Sequence, residues 1–219
     1  MRVVRIFLVI VGLLALGIGV LVATDPHFSK IDFTRFPSRA AWQHPERVLE
    51  TLGVAGNKQV ADLGAGDGYF VDFFSGALGA GGRLYAVDVD SDAIAKLERK
   101  VSEGGHGNVE VIEGSVTDAG LPDGEIDLVF LCNVYHHIDD QVAYFDHLRG
   151  DLSPEGRIAI VEGRPEGFGK WVSPAGHATP YEDVVAQMEE AGYGLDESHD
   201  FLPIQNLLVF RPLSSSAGL

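Results

Sequence analysis

A glycine-rich run in the first third of the sequence combines residue types that suit an extended polar ligand. The run reads DLGAGDG at residues 62–68, and a predicted helix begins directly after it. Glycines let the backbone turn sharply and approach a ligand closely, and the first turn of a helix offers unpaired N–H groups. Asp88 follows Gly68 by 20 residues, a spacing at which a carboxylate accepts hydrogen bonds from ribose hydroxyls. The pattern therefore predicts a site for a cofactor that contains a nucleoside.

Two classes of cofactor bind such loops, and the last position of the glycine fingerprint distinguishes them. The dinucleotide fingerprint has glycine at its first, third and sixth positions, which are Gly64, Gly66 and Tyr69 here. A tyrosine hinders the close packing of helix on strand beside a pyrophosphate, and Asp67 would repel a diphosphate. A ligand that carries an ammonium and a sulfonium is not repelled. The residues favour such a ligand, and an NAD-dependent oxidoreductase stays as an alternative.

The segments VADLGAGDGYF and LYAVDVD resemble motif I and the second-strand acid of class I S-adenosylmethionine-dependent methyltransferases. The resemblance runs from about residue 42 to residue 210. Three further stretches, PSRAAWQHPERVLETLGV, FLCNVYHHIDD and DFLPIQNLLVF, resemble a poorly characterised bacterial group within that superfamily. The resemblance implies a methyltransferase that uses S-adenosylmethionine and a small-molecule acceptor of unknown identity. A catalytically inactive membrane protein that binds the cofactor is the second alternative.

The resemblance also implies roles for individual cofactor contacts. The glycines of the loop would pass beside the methionine and ribose parts of the cofactor. Asp62 would support the loop or reach the amino group, Asp88 would hold the ribose hydroxyls, and Val89 would pack on the adenine. Many relatives have Gly-Asp after the third strand, whereas this chain has Ser115 after the glycine and Asp118 three residues later. The adenine contact therefore stays open. The implied cofactor residues are Asp62, Gly64, Ala65, Gly66, Gly68, Asp88, Val89, Ser115, Val116 and Asn133.

Two adjacent histidines, His136 and His137, are the candidates for acid–base chemistry. Methyl transfer from a sulfonium depends largely on positioning, and it needs a base only when the acceptor must lose a proton. Histidine titrates near neutral pH, and this pair follows the predicted fourth strand, at the sheet edge where such folds bind ligands. In the alternative interpretation the pair only shapes the loop. A metal site that adds His177 is disfavoured because no ligand spacing enforces it, so we predict none.

Strands and helices alternate along the chain, which indicates an α/β fold. We expect a Rossmann-like, doubly wound and mostly parallel seven-stranded sheet, with an antiparallel edge because no helix separates the last two strands. The predicted strands are 59–63, 83–87, 109–112, 126–131, 157–161, 195–199 and 206–210. The predicted helices are 45–52, 69–78, 91–101, 141–148 and 181–190. We further expect a turn at 153–156, a helix cap at Ser91, a turn that ends at Asp127, a buried Cys132, and a lid formed by Trp42 and Gln43.

An uncharged apolar run at residues 6–23 precedes the predicted domain. Its 18 residues would span roughly 27 Å as a helix, close to the hydrocarbon thickness of a bilayer. We expect a transmembrane anchor at 1–23, a linker at 24–40, the methyltransferase domain at 41–211 and a flexible tail at 212–219. The protein is then a single-pass membrane protein. The alternative is a cleaved signal peptide and a soluble exported enzyme.

Charge and cysteine content limit the possible partners. The formal net charge is −16. Residues 1–39 carry five basic and two acidic side chains, so the predicted domain is more acidic than the whole chain. Such a domain is repelled by phosphate backbones, and we expect no nucleic-acid partner. A single cysteine excludes a disulfide within the chain and any zinc site built from several cysteines.

Overall fold

The computed structural model describes residue 27 and residues 30–36, 38–56, 58–79, 81–165 and 178–213. This part of the chain contains one seven-stranded sheet with the strand order β3-β2-β1-β4-β5-β7-β6. The strands are β1 (Gln59–Leu63), β2 (Arg83–Asp88), β3 (Val109–Glu113), β4 (Ile126–Cys132), β5 (Leu152–Gly163), β6 (Tyr193–His199) and β7 (Gln205–Pro212). The helices are α1 (Ala40–Gln43), α2 (Pro45–Thr51), α3 (Val71–Ala77), α4 (Ser91–Gly104), α5 (Gln141–Leu148) and α6 (Tyr181–Glu190). The predicted Rossmann-like α/β sheet of seven strands is confirmed.

The sheet is parallel from β3 to β5 and antiparallel at its β7–β6 edge. The order in which successive strands are added to the sheet reverses between β1 and β4. The chain extends from β1 to β2 and β3 on one side, and β4 then pairs with the other side of β1. In open α/β sheets the crevice at such a switch point, outside the carboxyl ends of the strands, is where ligands bind. The topology therefore puts the glycine loop after β1 at the centre of the expected binding edge.

Both faces of the sheet are covered by apolar side chains, as a mostly parallel sheet requires. Successive residues of β4 point to opposite faces: Phe130 packs with Phe70 and Phe74, whose ring centroids lie 4.7 and 5.1 Å away. Val129 and Leu131 belong to the opposite cluster, which includes the buried residues of α5 and α6. This packing fixes β4, and with it the loop that follows β4 at the binding edge.

Three local expectations are wrong. The cap of α4 is Asp90, whose side chain accepts a 2.8 Å hydrogen bond from the backbone N–H of Asp92, and Ser91 is already inside the helix. Residues 153–156 lie within β5, where the ladder with β4 shifts register, so the expected turn is an irregularity inside one longer strand. Asp127 lies in β4 and accepts hydrogen bonds from Gln59 N and Ser153 Oγ.

The segment before α1 packs on the domain in the part that the structure describes. Ile31 is buried, and Asp32 N donates a 2.8 Å hydrogen bond to Ala41 O. Arg35 makes a two-pronged ion pair with Glu46, at 2.8 and 2.9 Å. The described part of the predicted linker is therefore held against α1 and α2.

The two chain ends lie largely outside the described residues. The predicted anchor at 6–23 falls in the part for which no structure is described. In the described ranges no helix is long and apolar enough to cross a membrane. At the other end β7 continues to Pro212, two residues further than the predicted strand, and residues 214–219 are outside the described part.

Candidate active site

A cavity of about 590 Å³ opens at the carboxyl ends of β2, β1 and β4. This volume lies within the range of pockets that hold cofactors and other small ligands. The cavity is lined by residues from the loops after β1, β2, β3 and β4, and Arg39 comes from the segment before α1. Seven predicted site residues border it: Gly64, Asp88, Val89, Ser115, Val116, Asn133 and His137.

The glycine loop takes a backbone conformation that side chains oppose. Gly64 and Gly66 have φ values of 68° and 60°, in the left-handed region that favours glycine. A Cβ atom on Gly64 would overlap the side chain of Val134. A Cβ atom on Gly66 would have no described atom closer than Gly64 O, at 4.0 Å. Gly64 is therefore required by packing, whereas the Cβ position of Gly66 faces open space, although Gly66 is not among the residues that line the cavity.

The other predicted members of the loop support it from beneath. Ala65 N donates a 3.0 Å hydrogen bond to Val87 O, which ties the loop to β2. A Cβ atom on Gly68 would meet Lys100 and Leu97 of α4 at 2.7 and 3.0 Å. In this structure both residues face the protein, and neither is among the residues that line the cavity.

Asp88 joins β2 to the glycine loop. Its Oδ2 accepts a 2.8 Å hydrogen bond from Gly66 N, and its Oδ1 accepts one of 3.0 Å from Asp90 N. Each carboxylate oxygen has further lone pairs, so both can still accept from ligand hydroxyls. The carboxylate is thus held in one orientation at the middle of the cavity wall. This arrangement suits recognition of a ribose diol.

Asp62 is buried at the end of β1 and does not border the cavity in this structure. Burial raises the pKa of its carboxyl to about 7, the charge of Arg39 lowers it, and the nearby Asp88 raises it. A buried carboxyl near neutrality ionises readily when a cation arrives, because the cation stabilises the charged form. The residue is therefore suited to respond to a cationic group that enters above the loop.

The loops after β2 and β3 present apolar surface, and the loop after β3 also contains turn-forming polar groups. Val89 and Val116 are 55% and 72% exposed and both line the cavity. Ser115 N donates to Asp118 O at 2.7 Å, and the Asp118 side chain accepts from Gly120 N at 2.8 Å. The displaced Asp118 is thus part of the turn itself. The two exposed valines form an apolar surface in the cavity on which a flat aromatic ring could pack.

The loop after β4 begins with Asn133, whose φ is 58°. Gln205 of β7 donates from Nε2 to Asn133 Oδ1 at 2.7 Å, which fixes the amide orientation. Cys132 is buried, as predicted, and Gln43 Nε2 lies 3.1 Å from its sulfur. Gln43 is therefore a core residue rather than part of a lid, while Trp42 packs edge-on against Phe36 with centroids 5.6 Å apart.

The two histidines occupy different environments although they are adjacent. Both lie in the 3₁₀ turn Tyr135–His137, and their ring centroids are 4.1 Å apart. His137 borders the cavity, and His136 is not among the bordering residues. His136 Nδ1 lies 2.9 Å from Glu162 Oε1, with both side chains almost completely buried. Burial raises the pKa of Glu162 to about 7.

Two residues that the sequence did not single out contribute to this region. Glu162 lies near the end of the apolar strand β5. Because charged residues are rarely buried in such strands, its position in the sequence could have marked it as a candidate functional residue. Arg39 lies in the predicted linker at 24–40, and no local pattern marks it. For metals, the described ranges contain no group of three histidine, cysteine or acidic side chains that could hold an ion, and His177 lies outside them.

The chain is similar to known methyltransferases in sequence. Residues 61–160 match the family described as "Methyltransferase domain". Demethylmenaquinone methyltransferase of Bacillus velezensis is 22% identical over 135 residues, which are 61% of this chain and 57% of that protein. An uncharacterized methyltransferase of Mycobacterium bovis is 24% identical over 118 residues, which are 54% of this chain and 57% of that protein. The chain thus spans little more than half the length of these curated relatives.

The fold of the chain is also similar to that of a known methyltransferase. The crystal structure of a SAM dependent methyltransferase from Aquifex aeolicus matches with a TM-score of 0.73 and 25% identity, over 83% of this chain and 96% of that chain. The family match at 61–160 contains the glycine loop, Asp88 and the loop after β4. Given this sequence match and strand order, residues 61–160 are a methyltransferase domain, and the chain has the fold of the class I S-adenosylmethionine-dependent methyltransferases.

Proposed function

We propose that this protein binds S-adenosylmethionine in the 590 Å³ cavity and transfers its methyl group to a small-molecule acceptor. The observation that carries the proposal is the position of Asp88 on the cavity wall, held by Gly66 N at 2.8 Å beside a loop that leaves open space at Gly66. The Asp88 carboxylate can accept hydrogen bonds from a ribose diol, and the open space at Gly66 allows the backbone to approach the ligand closely.

The proposed cofactor lies along the strand ends. Its ribose is at Asp88, its adenine packs between Val89 and Val116, and its methionine part crosses the glycine loop toward β4. Asp62 beneath the loop supplies the negative charge that complements the ammonium and sulfonium groups. This orientation brings the methyl group toward the loop after β4, where Asn133 and His137 line the cavity.

The proposed acceptor is a small molecule. The name of the Bacillus velezensis relative refers to demethylmenaquinone, and its 22% identity supports this class of acceptor without specifying it. The acidic chain argues against a polyanionic acceptor such as a nucleic acid. His137 borders the cavity and is the proposed base for an acceptor that must lose a proton, whereas His136 is held by Glu162.

Calorimetry and a transfer assay test the function. The full chain is titrated with S-adenosylmethionine, S-adenosylhomocysteine and NAD, and methyl transfer from labelled cofactor is measured over a panel of quinols, phenols and amines. We expect binding of the two sulfur ligands and turnover of at least one acceptor class. Preferential binding of NAD would contradict the proposal. Binding of cofactor without turnover on any acceptor would favour the inactive cofactor-binding protein.

We also propose that residues 6–23 anchor the protein in a membrane as a single-pass segment. The support is the length of the apolar run, its lack of charge and the two arginines before it. Intact-mass measurement of the native protein, with carbonate extraction of membranes, tests this. A retained segment with carbonate-resistant association is expected. A mature chain that begins near Thr24 and is soluble would instead show a cleaved signal peptide.

A further inference from the structure

The cofactor cavity has two chemically different ends. Its lining runs from Ser115 after β3, past Asp88 at the end of β2, to Asn133 after β4. The sheet order β3-β2-β1-β4 places these points in sequence along the edge. With the ribose at Asp88 and the adenine on the β3 side, the amino-acid part of the cofactor extends over the β1 loop toward β4. That part ends in a carboxylate.

Arg39 lies at the β4 end of this cavity. It borders the cavity and lies near Asp62 and Cys132, the buried groups at the ends of β1 and β4: burial raises the pKa values of both, and the charge of Arg39 acts against that rise. Its guanidinium carbon is 4.2 Å from the centroid of the Tyr69 ring, directly after the glycine loop. The guanidinium is therefore held beside the path that the methionine part must take.

The nitrogens of Arg39 are only partly used in the described structure. Nε donates to Gln43 Oε1. Among the described residues, the one ion pair of Arg39 is with Asp67, whose carboxylate is 4.0 Å away and 77% exposed. A guanidinium has five N–H donors in a planar fork that matches a carboxylate. Arg39 also hydrogen-bonds to the Cys132 thiol. This contact, the stacking on Tyr69 and the bond to Gln43 orient the fork, and its remaining N–H donors stay for a ligand carboxylate.

We propose that Arg39 binds the α-carboxylate of the methionine part of the cofactor and makes the site selective for ligands that carry this group. The inference rests on the proposed function. It places one determinant of cofactor recognition on the segment before α1, outside the glycine loop and outside the 61–160 family match. A purely structural Arg39, which only braces Tyr69, predicts equal effects on every adenosine ligand.

A pair of ligands separates these two roles. S-adenosylhomocysteine carries the amino-acid group, and 5′-methylthioadenosine has the same thioether and adenosine but lacks it. Both are titrated calorimetrically into the full-length wild type, Arg39→Gln, Arg39→Lys and Arg35→Gln. The last variant is the control, because Arg35 lies on the same segment but pairs with Glu46 and does not border the cavity.

We expect Arg39→Gln to weaken S-adenosylhomocysteine by roughly tenfold to a hundredfold, the range for losing a charge-assisted bond, and to change 5′-methylthioadenosine by less than about twofold. Arg39→Lys retains the charge and should fall between, and Arg35→Gln should match the wild type. Unchanged 5′-methylthioadenosine affinity also shows that the variant is folded. Equal losses for both ligands, or no loss for S-adenosylhomocysteine, would overturn the role of Arg39 alone. A wild type that binds neither ligand would overturn the proposed function as well.

Discussion

The backbone N–H of Gly66 donates a 2.8 Å hydrogen bond to Oδ2 of Asp88, across 22 residues of sequence. The two features that predicted the cofactor site are therefore one physical unit. The bond orients the carboxylate, and the carboxylate holds Gly66 in its left-handed conformation. A change at either residue acts on both.

Replacement of Asp88 tests the ribose contact. Asp88→Ala removes the acceptor of ligand hydroxyls and the bond that holds the loop, so cofactor binding should weaken by about 1–3 kcal/mol. Calorimetry with S-adenosylhomocysteine measures the loss. Glu110→Gln is the control. Glu110 is exposed on β3, pairs with Arg83, and does not line the cavity. Equal affinity in Asp88→Ala and the wild type would refute the assignment.

Gly66→Val tests whether the glycine loop approaches the ligand. The valine side chain would enter the open space beside Asp88, where the proposed cofactor lies, so cofactor binding should be abolished. Its positive φ also costs about 1–2 kcal/mol of folding free energy. Gly53→Val is the matched control, because Gly53 has a similar φ of 55°, has nothing within 4 Å of its Cβ position, and lies outside the glycine loop at 62–68. Similar Tm losses with affinity lost only in Gly66→Val are expected. A folded Gly66→Val protein with normal affinity would show that the loop is only a turn.

The two histidines should respond differently to replacement by alanine. His136→Ala leaves the buried Glu162 carboxyl without its ring partner and should lower the free energy of unfolding by about 1–3 kcal/mol. His137→Ala should leave stability nearly unchanged and lower kcat for an acceptor that must be deprotonated. Thermal unfolding and a pH–rate profile measure the two effects. A large loss of stability in His137→Ala with full activity would contradict this division of roles.

The ligand-free protein should be more stable in mild acid than in mild base. The pKa values of Asp62 and Glu162 are raised by burial to about 7 in the folded protein, above their values of 3.8 and 4.5 in the unfolded chain. Between these values the folded state binds more protons, so the free energy of unfolding falls as pH rises from about 4 through 7.

Urea unfolding at pH 5.5 and pH 8, values chosen on either side of a pKa of about 7, measures this slope. Asp62→Asn and Glu162→Gln should each flatten it, because the amide does not titrate. Asp92→Asn, on the exposed start of α4, serves as the control and should leave the slope unchanged. A wild type whose stability rises over this interval would contradict the burial of uncharged carboxyls.

The sequence alone predicted the fold and the cofactor loop because both are encoded by local patterns. Apolar strands alternate with amphipathic helices, and the glycines with Asp88 at a fixed spacing mark one βαβ unit. Local patterns also gave two wrong predictions, for the cap of α4 and for a turn at 153–156. Ser91 and Asp90 are both good caps, and only the backbone path decides between them. The proline and glycine at 153–156 indicated a turn, yet pairing with β4 on either side keeps the segment within β5.

Only the tertiary structure decided which polar residues meet around the cavity. Glu162 reaches His136 across 26 residues and Gln205 reaches Asn133 across 72, because β5 and β7 lie beside β4 in the sheet. Arg39 comes to the glycine loop because the segment before α1 folds back over Tyr69. No spacing in the sequence encodes these contacts, since each depends on the order of strands and on packing between distant segments. The local pattern thus determines where the proposed cofactor site lies, and the assembly of the sheet determines which side chains surround that site.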